Sequence, residues 1–210
     1  MYDLPDYTEK DIEKIWLFLK RHPFATLIGC ADDTPVATQV PLLLEVQNDK
    51  TILTGHIMRN TDHHKAFEKN KTVLCLFSGA HSYVSASWYK NPEMASTWNY
   101  MSVQARGTLE FLPDASLIAI LRHTTNLFEN NPDSPAAFDK LSGKYVQRLA
   151  KAIVGFQIVI TDLRTTFKLS QNHDTESYKN IIGQLTKGDA NAQTIATEME
   201  QRRESLFGTA

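Results

Sequence analysis

Rings and hydrogen-bonding groups are densest in one central run, Ser78-Gly79-Ala80-His81-Ser82-Tyr83-Val84-Ser85-Ala86-Ser87-Trp88-Tyr89, followed by Ser96-Thr97-Trp98-Asn99-Tyr100. Two of the chain's three tryptophans sit here, with three tyrosines, a histidine and a row of hydroxyls. A core strand needs fewer hydrogen-bonding groups, and a surface loop carries fewer rings. Interleaved in this way, they suit a flat, partly polar ligand, because rings stack on it while hydroxyls and amides orient it. The same composition also suits an aromatic hairpin that fills a barrel mouth or a dimer interface. His81 is the nearest candidate acid or base, although a loop histidine is more often a hydrogen-bonding group. No nucleophile with a supporting base is visible, so catalytic residues stay unassigned.

A second concentration is His56-Ile57-Met58-Arg59-Asn60-Thr61-Asp62-His63-His64-Lys65. Thr61 predicts the N-cap of a short helix over 62–69. A basic residue just before a helix N-terminus suits a phosphate, with paired guanidinium bonds joined by free backbone amides. Arg59 is the basic residue in that position. The same residues could also form a solvated helix face, and His63 and His64 are read that way. Adjacent histidines do not share one helical face, and no carboxylate or cysteine completes a metal set, so no metal site is expected. The third stretch is Phe167-Lys168-Leu169-Ser170-Gln171-Asn172. Alternation there puts Lys168, Ser170 and Asn172 on one face and Leu169 on the other. That face could rim a ligand or form the polar outside of an edge strand.

The elements that must position these groups are legible in turn. Thr8 with Asp11 reads as a capping box for a helix whose face carries Ile12, Ile15, Trp16 and Leu19, stopped by Pro23. Strands are expected over 24–31, 36–46 and 51–56, joined by turns at Asp32-Asp33 and Asn48-Asp49-Lys50 into an antiparallel meander. Pro41 inside the second implies an edge or a bulge. Further strands are expected over 72–77 and 97–112, with Gly107 marking a bulge or tight bend. Pro113-Asp114 opens a helix with Leu117, Ile118, Ile120, Leu121 and Leu127 on its stripe. Another helical stretch starts at Ser134-Pro135, and 145–152 is helical. A buried strand follows over 153–160. From Asp174 two amphipathic helices form a hairpin broken at Gly188.

With 210 residues and 42% hydrophobic content, the chain can bury one full core plus a helical appendage. Net charge is -2, which gives no global attraction to nucleic acid or anionic membranes. Cys30 and Cys75 lie in apolar runs and read as buried free thiols. The N-terminus carries no apolar signal region, and no stretch approaches the roughly 20 apolar residues of a membrane helix. A soluble cytoplasmic protein without membrane partners is the expectation.

The segments SGAHSYVSASWY and STWNY resemble signatures of the PaiB-like, FMN-binding negative transcriptional regulators. MYDLPDY, HPFATLI, VPLLL, GHIMRN, IVGFQIVITDL and KLSQN continue the resemblance in family order. Ala80 and Ala86 stand where the family usually has proline. The resemblance implies an α+β fold, an antiparallel split barrel of the pyridoxamine-phosphate-oxidase-like type over 1–172. The helical hairpin over 173–210 would pack on the barrel or the partner. It also implies FMN at a homodimer interface, with Arg59 at the phosphate-binding position. Cofactor contacts are expected at Thr54, His56, Arg59, Asn60, Trp88, Trp98, Asn99, Lys168 and Gln171. Three functions fit: a PaiB-type FMN-binding regulator, an FMN-dependent oxidoreductase acting on a small substrate, and a flavin-free interaction protein. DNA enters as a partner by family analogy alone. After Asp174, acidic residues outnumber basic ones, which argues against DNA reading by the hairpin.

Overall fold

The structure, a computed structural model, describes residues 4–48, 50–91 and 93–208. Met1 to Asp3 of the MYDLPDY segment, Asp49 of the second turn and Pro92 before STWNY lie outside the described residues. Helices α1 (Ile12–Arg21), α2 (Asp62–Lys69), α3 (Asp114–Glu129), α4 (Gly143–Ala150), α5 (Thr175–Leu185) and α6 (Ala190–Phe207) are joined to seven strands. These are β1 (Phe24–Ala31), β2 (Thr34–Pro41), β3 (Leu43–Gln47), β4 (Lys50–Met58), β5 (Thr72–Val84), β6 (Thr97–Phe111) and β7 (Ile153–Lys168). The fold class is α+β, as expected.

Two compact units emerge. One comprises Leu19–Phe77 and Gln104–Leu163; the other comprises Met1–Phe18, Ser78–Val103 and Arg164–Ala210. Helices α5 and α6 thus share a unit with the aromatic run.

The strands pair in the order β2-β1-β5-β6-β7-β4-β3, and the first unit takes in β1 to β4 whole, β5 up to Phe77, β6 from Gln104 and β7 up to Leu163. Its interior comes from alternating apolar residues, with Leu27, Leu53, Cys75, Phe77, Leu109, Phe156 and Ile158 fully buried. The strands do not form the expected three-stranded meander. The stretch 36–46 is two strands, since proline at 41 cannot donate to a ladder and the pairing breaks at Leu42. β2 pairs with β1 and β3 with β4, so the two pieces lie on opposite edges of the sheet. Gly107 marks close approach rather than a bulge, because a Cβ there would lie 2.3 Å from the Val159 carbonyl oxygen of β7. On α3, Leu117 and Ile120 are buried but Leu127 is exposed, since the stripe runs out before the helix ends at left-handed Asn130. After Pro135 a single 3-10 turn forms over Phe138–Lys140, short of the expected helix.

In the second unit, Asp11 rather than Thr8 starts α1: its carboxylate accepts from the Glu13 amide at 3.0 Å, while Thr8 Oγ1 donates to the Leu4 carbonyl. The hairpin forms as expected. Asp174 and Asp189 cap α5 and α6, and the fully buried Tyr178 donates from its hydroxyl to the Met199 carbonyl at 2.9 Å. Burying Tyr178, Ile181, Leu185, Ile195 and Met199 stabilises the pair by about 1.5–3 kcal/mol per large side chain.

Candidate functional site

The expected contacts fall into two groups, Thr54, His56, Arg59 and Asn60 in the sheet unit, and Trp88, Trp98, Asn99, Lys168 and Gln171 in the other. In the sheet unit, Thr54 and His56 share a face of β4 by alternation. Thr54 is buried, its hydroxyl 3.5 Å from Glu45. His56 Nδ1 is buried without a hydrogen-bond partner, and burial lowers the pKa of the ring, so the neutral imidazole is favoured. Arg59 donates from Nε to the Ile153 carbonyl at 2.8 Å and from a terminal nitrogen to exposed Asp114 at 3.1 Å. Asn60 adopts a left-handed conformation with φ 65°, and its amide reaches His64 Nδ1 at 3.4 Å.

Helix α2 begins where the sequence places it, with Thr61 as N-cap, but two amides of its first turn are already bonded. The His64 amide donates to Thr61 Oγ1 and the His63 amide to the Asp62 carboxylate, whose pKa this bond holds down. The acidic first turn thus serves the helix itself. The two histidines do not form a solvated face. His64 is buried against Phe111 with ring centroids 4.9 Å apart, and His63 bonds Thr61 and Asp62. Among the described residues no group of histidine, cysteine and carboxylate side chains could hold a metal ion. Cys30 and Cys75 are free thiols, and burial pushes Cys75 up to about 12.

In the other unit, β5 runs on through the aromatic stretch to Val84, so His81 and Tyr83 stand on a strand rather than a loop. Trp98, at the start of β6, is 53% exposed and lies 6.0 Å from both the Tyr83 and the His81 rings, with Tyr83 itself 47% exposed. Trp88 is half-buried in a 3-10 turn that Ser85 caps. Asn99 is fully buried: Ser170 Oγ donates to its Oδ1 at 3.1 Å, and its amide faces Met199 Sδ at 3.5 Å. Its side chain therefore joins β6 to the end of β7 and to α6. Gln171 is likewise occupied, donating to the Phe167 carbonyl at 2.5 Å and accepting from the Leu169 amide at 2.7 Å.

The alternation expected through 168–172 does not continue. β7 ends at Lys168, and Ser170 turns left-handed at φ 63°, so Leu169 and Ser170 are both buried while Asn172 is exposed. Lys168 donates to Thr97 Oγ1, and burial lowers its pKa. It opens on a cleft of about 230 Å³ that Tyr7, Tyr89, Ser96, Thr97 and His173 also line. The Tyr89 and His173 rings stack there with centroids 4.3 Å apart and planes 31° apart. Burial, then the neighbouring Tyr83 and Tyr7, raises the Tyr89 pKa. Burial also lowers that of His173, assisted by Lys168 and opposed by Asp174. The sequence reading gave no role to Tyr89 and did not single out His173. Only their packing marks them, and no spacing rule brings residues 84 apart in the chain together.

The geometry meets known proteins at this point. A family model described as "Putative FMN-binding domain" matches residues 1–162. The "Protease synthase and sporulation protein PAI 2" of Bacillus subtilis (strain 168) is 34% identical over 201 residues, covering 95% of this chain and 97% of that protein. Among solved structures, the flavocytochrome Anf3 from Azotobacter vinelandii shares the fold with a TM-score of 0.57 at 14% identity, over 80% of this chain and 72% of its own. The FAD and heme binding protein from Mycobacterium smegmatis does so at 0.53 and 16% identity, over 77% and 73%. The fold is thus the flavin-type split barrel and the cofactor is FMN. With its family match spanning most of the sequence, the chain belongs to the PaiB-like FMN-binding family.

Proposed function

We propose that this chain is a homodimeric, FMN-binding regulator of the PaiB type, working in the cytoplasm, whose cofactor is held at the end of β4 by Thr54, His56, Arg59 and Asn60. The observation that carries the assignment is His56 Nδ1, a buried ring nitrogen without a partner on the strand that leads to Arg59. An unpaired buried polar atom is costly, and a ligand that meets it recovers that cost. Arg59 supplies the positive charge for the phosphate, with its Nε bond to Ile153 fixing the guanidinium and the exposed Asp114 yielding to the stronger anion. Bound isoalloxazine supplies hydride and electron transfer, while the protein binds and orients it.

The exposed Trp98 and Tyr83 form the face at which a second copy docks, since large exposed rings beside each other mark interaction surfaces. Asn99 and Gln171 act as positioning residues. The hairpin does not read DNA: Arg202 pairs with Glu198 and Arg203 with Glu200, so its arginines are neutralised within α6.

Titration of FMN and riboflavin against the wild type and Arg59→Ala tests the cofactor assignment. The substitution is expected to weaken FMN about tenfold or more and to leave riboflavin unchanged, since it removes a charge-assisted contact to phosphate. Equal loss for both would refute the phosphate role. Light scattering should give a dimer that Trp98→Ala weakens, and a gel shift with upstream DNA should show no binding by the purified protein alone. Steady NAD(P)H oxidation with an acceptor would replace the regulator by an FMN-dependent oxidoreductase.

A further inference from the structure

Charge is unevenly placed on this chain. Residues 140–151 carry Lys140, Lys144, Arg148 and Lys151 and no acid, within a sequence whose net charge is -2. None of the four pairs with a carboxylate among the described residues, whereas Arg59, Lys69, Arg106 and Arg122 of the same unit each do. Helix α4 holds the centre of this run, and its geometry sorts the side chains. Lys144, Arg148 and Lys151 stand at i, i+4 and i+7 on one face, with Lys151 continuing the helical turn as C-cap. Tyr145 and Leu149 stand at i and i+4 on the adjoining stripe, 43% and 46% exposed. The Arg148 guanidinium lies over the Tyr145 ring, 5.7 Å from its centroid, so a cation borders that stripe directly. Val146 and Ala150 turn to the rest of the unit and are only half-buried; no residue of α4 is buried.

Unpaired cations beside exposed apolar groups match the boundary layer of an anionic bilayer. There ammonium and guanidinium groups meet the headgroup phosphates, while a ring and a leucine enter just below them. We propose that α4 is a peripheral docking surface for an anionic lipid bilayer, with Lys144, Arg148 and Lys151 at the headgroups and Tyr145 and Leu149 inserted. Other occupants match less of the helix. A nucleic acid would take the cations but gain nothing from Leu149. A second copy placing α4 on α4 across a two-fold axis would set one basic stripe against another. A folded protein seats its anchors in pockets, and a helix with no buried residue stands as a ridge. The contact is peripheral, since among the described residues no helix is long and apolar enough to cross a membrane. It departs from the expectation of no membrane partner, because net charge and hydrophobic length do not report a local stripe. It uses none of the residues assigned to FMN.

Co-sedimentation of the full-length protein with vesicles tests it. At low ionic strength, vesicles of phosphatidylglycerol and phosphatidylcholine in equal parts should carry down roughly half of the protein at about 1 mM lipid, and pure phosphatidylcholine almost none. Raising the salt to about 0.5 M should release it. Lys144→Gln and Arg148→Gln should each lower partitioning about fivefold and Leu149→Ser about threefold. All three side chains are exposed, so these variants should melt with the wild type and bind FMN as it does. Failure to sediment with anionic vesicles, or equal sedimentation with phosphatidylcholine alone, would overturn the proposal. So would variants that sediment like the wild type, which would place lipid binding on another surface. Binding of duplex DNA or polyglutamate that is lost in Arg148→Gln, without vesicle binding, would give α4 to that polyanion instead.

Discussion

The turn from β4 into α2 and the cleft at the ends of β6 and β7 look alike as lists of residues, yet they differ as chemistry. The first offers an arginine, three histidines, an asparagine and a capped helix. Most of its donors are spent locally, on Ile153, Asp114, Thr61 and Asp62, and what remains for a ligand is Arg59's charge and one orphaned nitrogen on His56. The second offers fewer ionisable groups: its lysine donates to Thr97, no carboxylate lines it among the described residues, and its tyrosine hydroxyl is buried without a partner. A binding site is marked by the polar atoms that folding leaves unpaired, rather than by how many polar residues crowd together.

The largest expected effect tests the framework beneath the first region. Gly107→Ala drives a methyl group into the Val159 carbonyl, and about 3 kcal/mol of stability should be lost in urea unfolding, because a backbone atom cannot swing aside as a side chain can. A neutral result would mean that β6 and β7 do not approach as closely as described. Next comes Asn99, which separates a contact residue from a positioning one. Asn99→Ala strands the buried Ser170 hydroxyl and should cost about 2 kcal/mol. Unchanged stability would return Asn99 to the ligand contacts.

Smaller effects concern pH. His56 and His173 both have pKa values lowered by burial, so the unfolded chain binds their protons more readily than the folded one. Their contribution is fully present above the ordinary histidine value near 6.5 and is lost as pH falls below it. Chemical denaturation between neutral and mildly acidic pH should therefore show stability declining on acidification, and His56→Leu should flatten that decline. An unaltered slope would mean that His56 is not the buried neutral ring assigned here. Asp62 gives the smallest effect and a lower window. Its depressed pKa adds stability above the ordinary carboxylate range that is lost as pH falls through it, and Asp62→Asn should remove a slight part of the acid transition.

Much of this was legible in the chain itself. Strand β1 and helix α2 fall where apolar alternation and the Thr61 cap put them, and the α5–α6 hairpin follows from its amphipathic stripes and Gly188. These are local patterns, and local rules suffice for them. The failures are non-local. Pro41 announced an interruption but not that the chain would change sheet edges there, which depends on where β3 finds a partner. Lys168, Ser170 and Asn172 promised a polar strand face, yet the strand stops and Ser170 turns left-handed. Trp98 was named as a candidate and stands exposed; Asn99 beside it has its amide consumed inside the fold. Tyr89 and His173 could not be paired by any spacing rule, because their significance lies in a stack and an empty hydrogen-bonding position that exist only after folding.

The most direct test of the account is the absorbance spectrum of the protein after mixing with FMN and gel filtration. Flavin bands should travel with the protein at one FMN per subunit and be lost in Arg59→Ala. Colourless protein from the wild-type sample would contradict it.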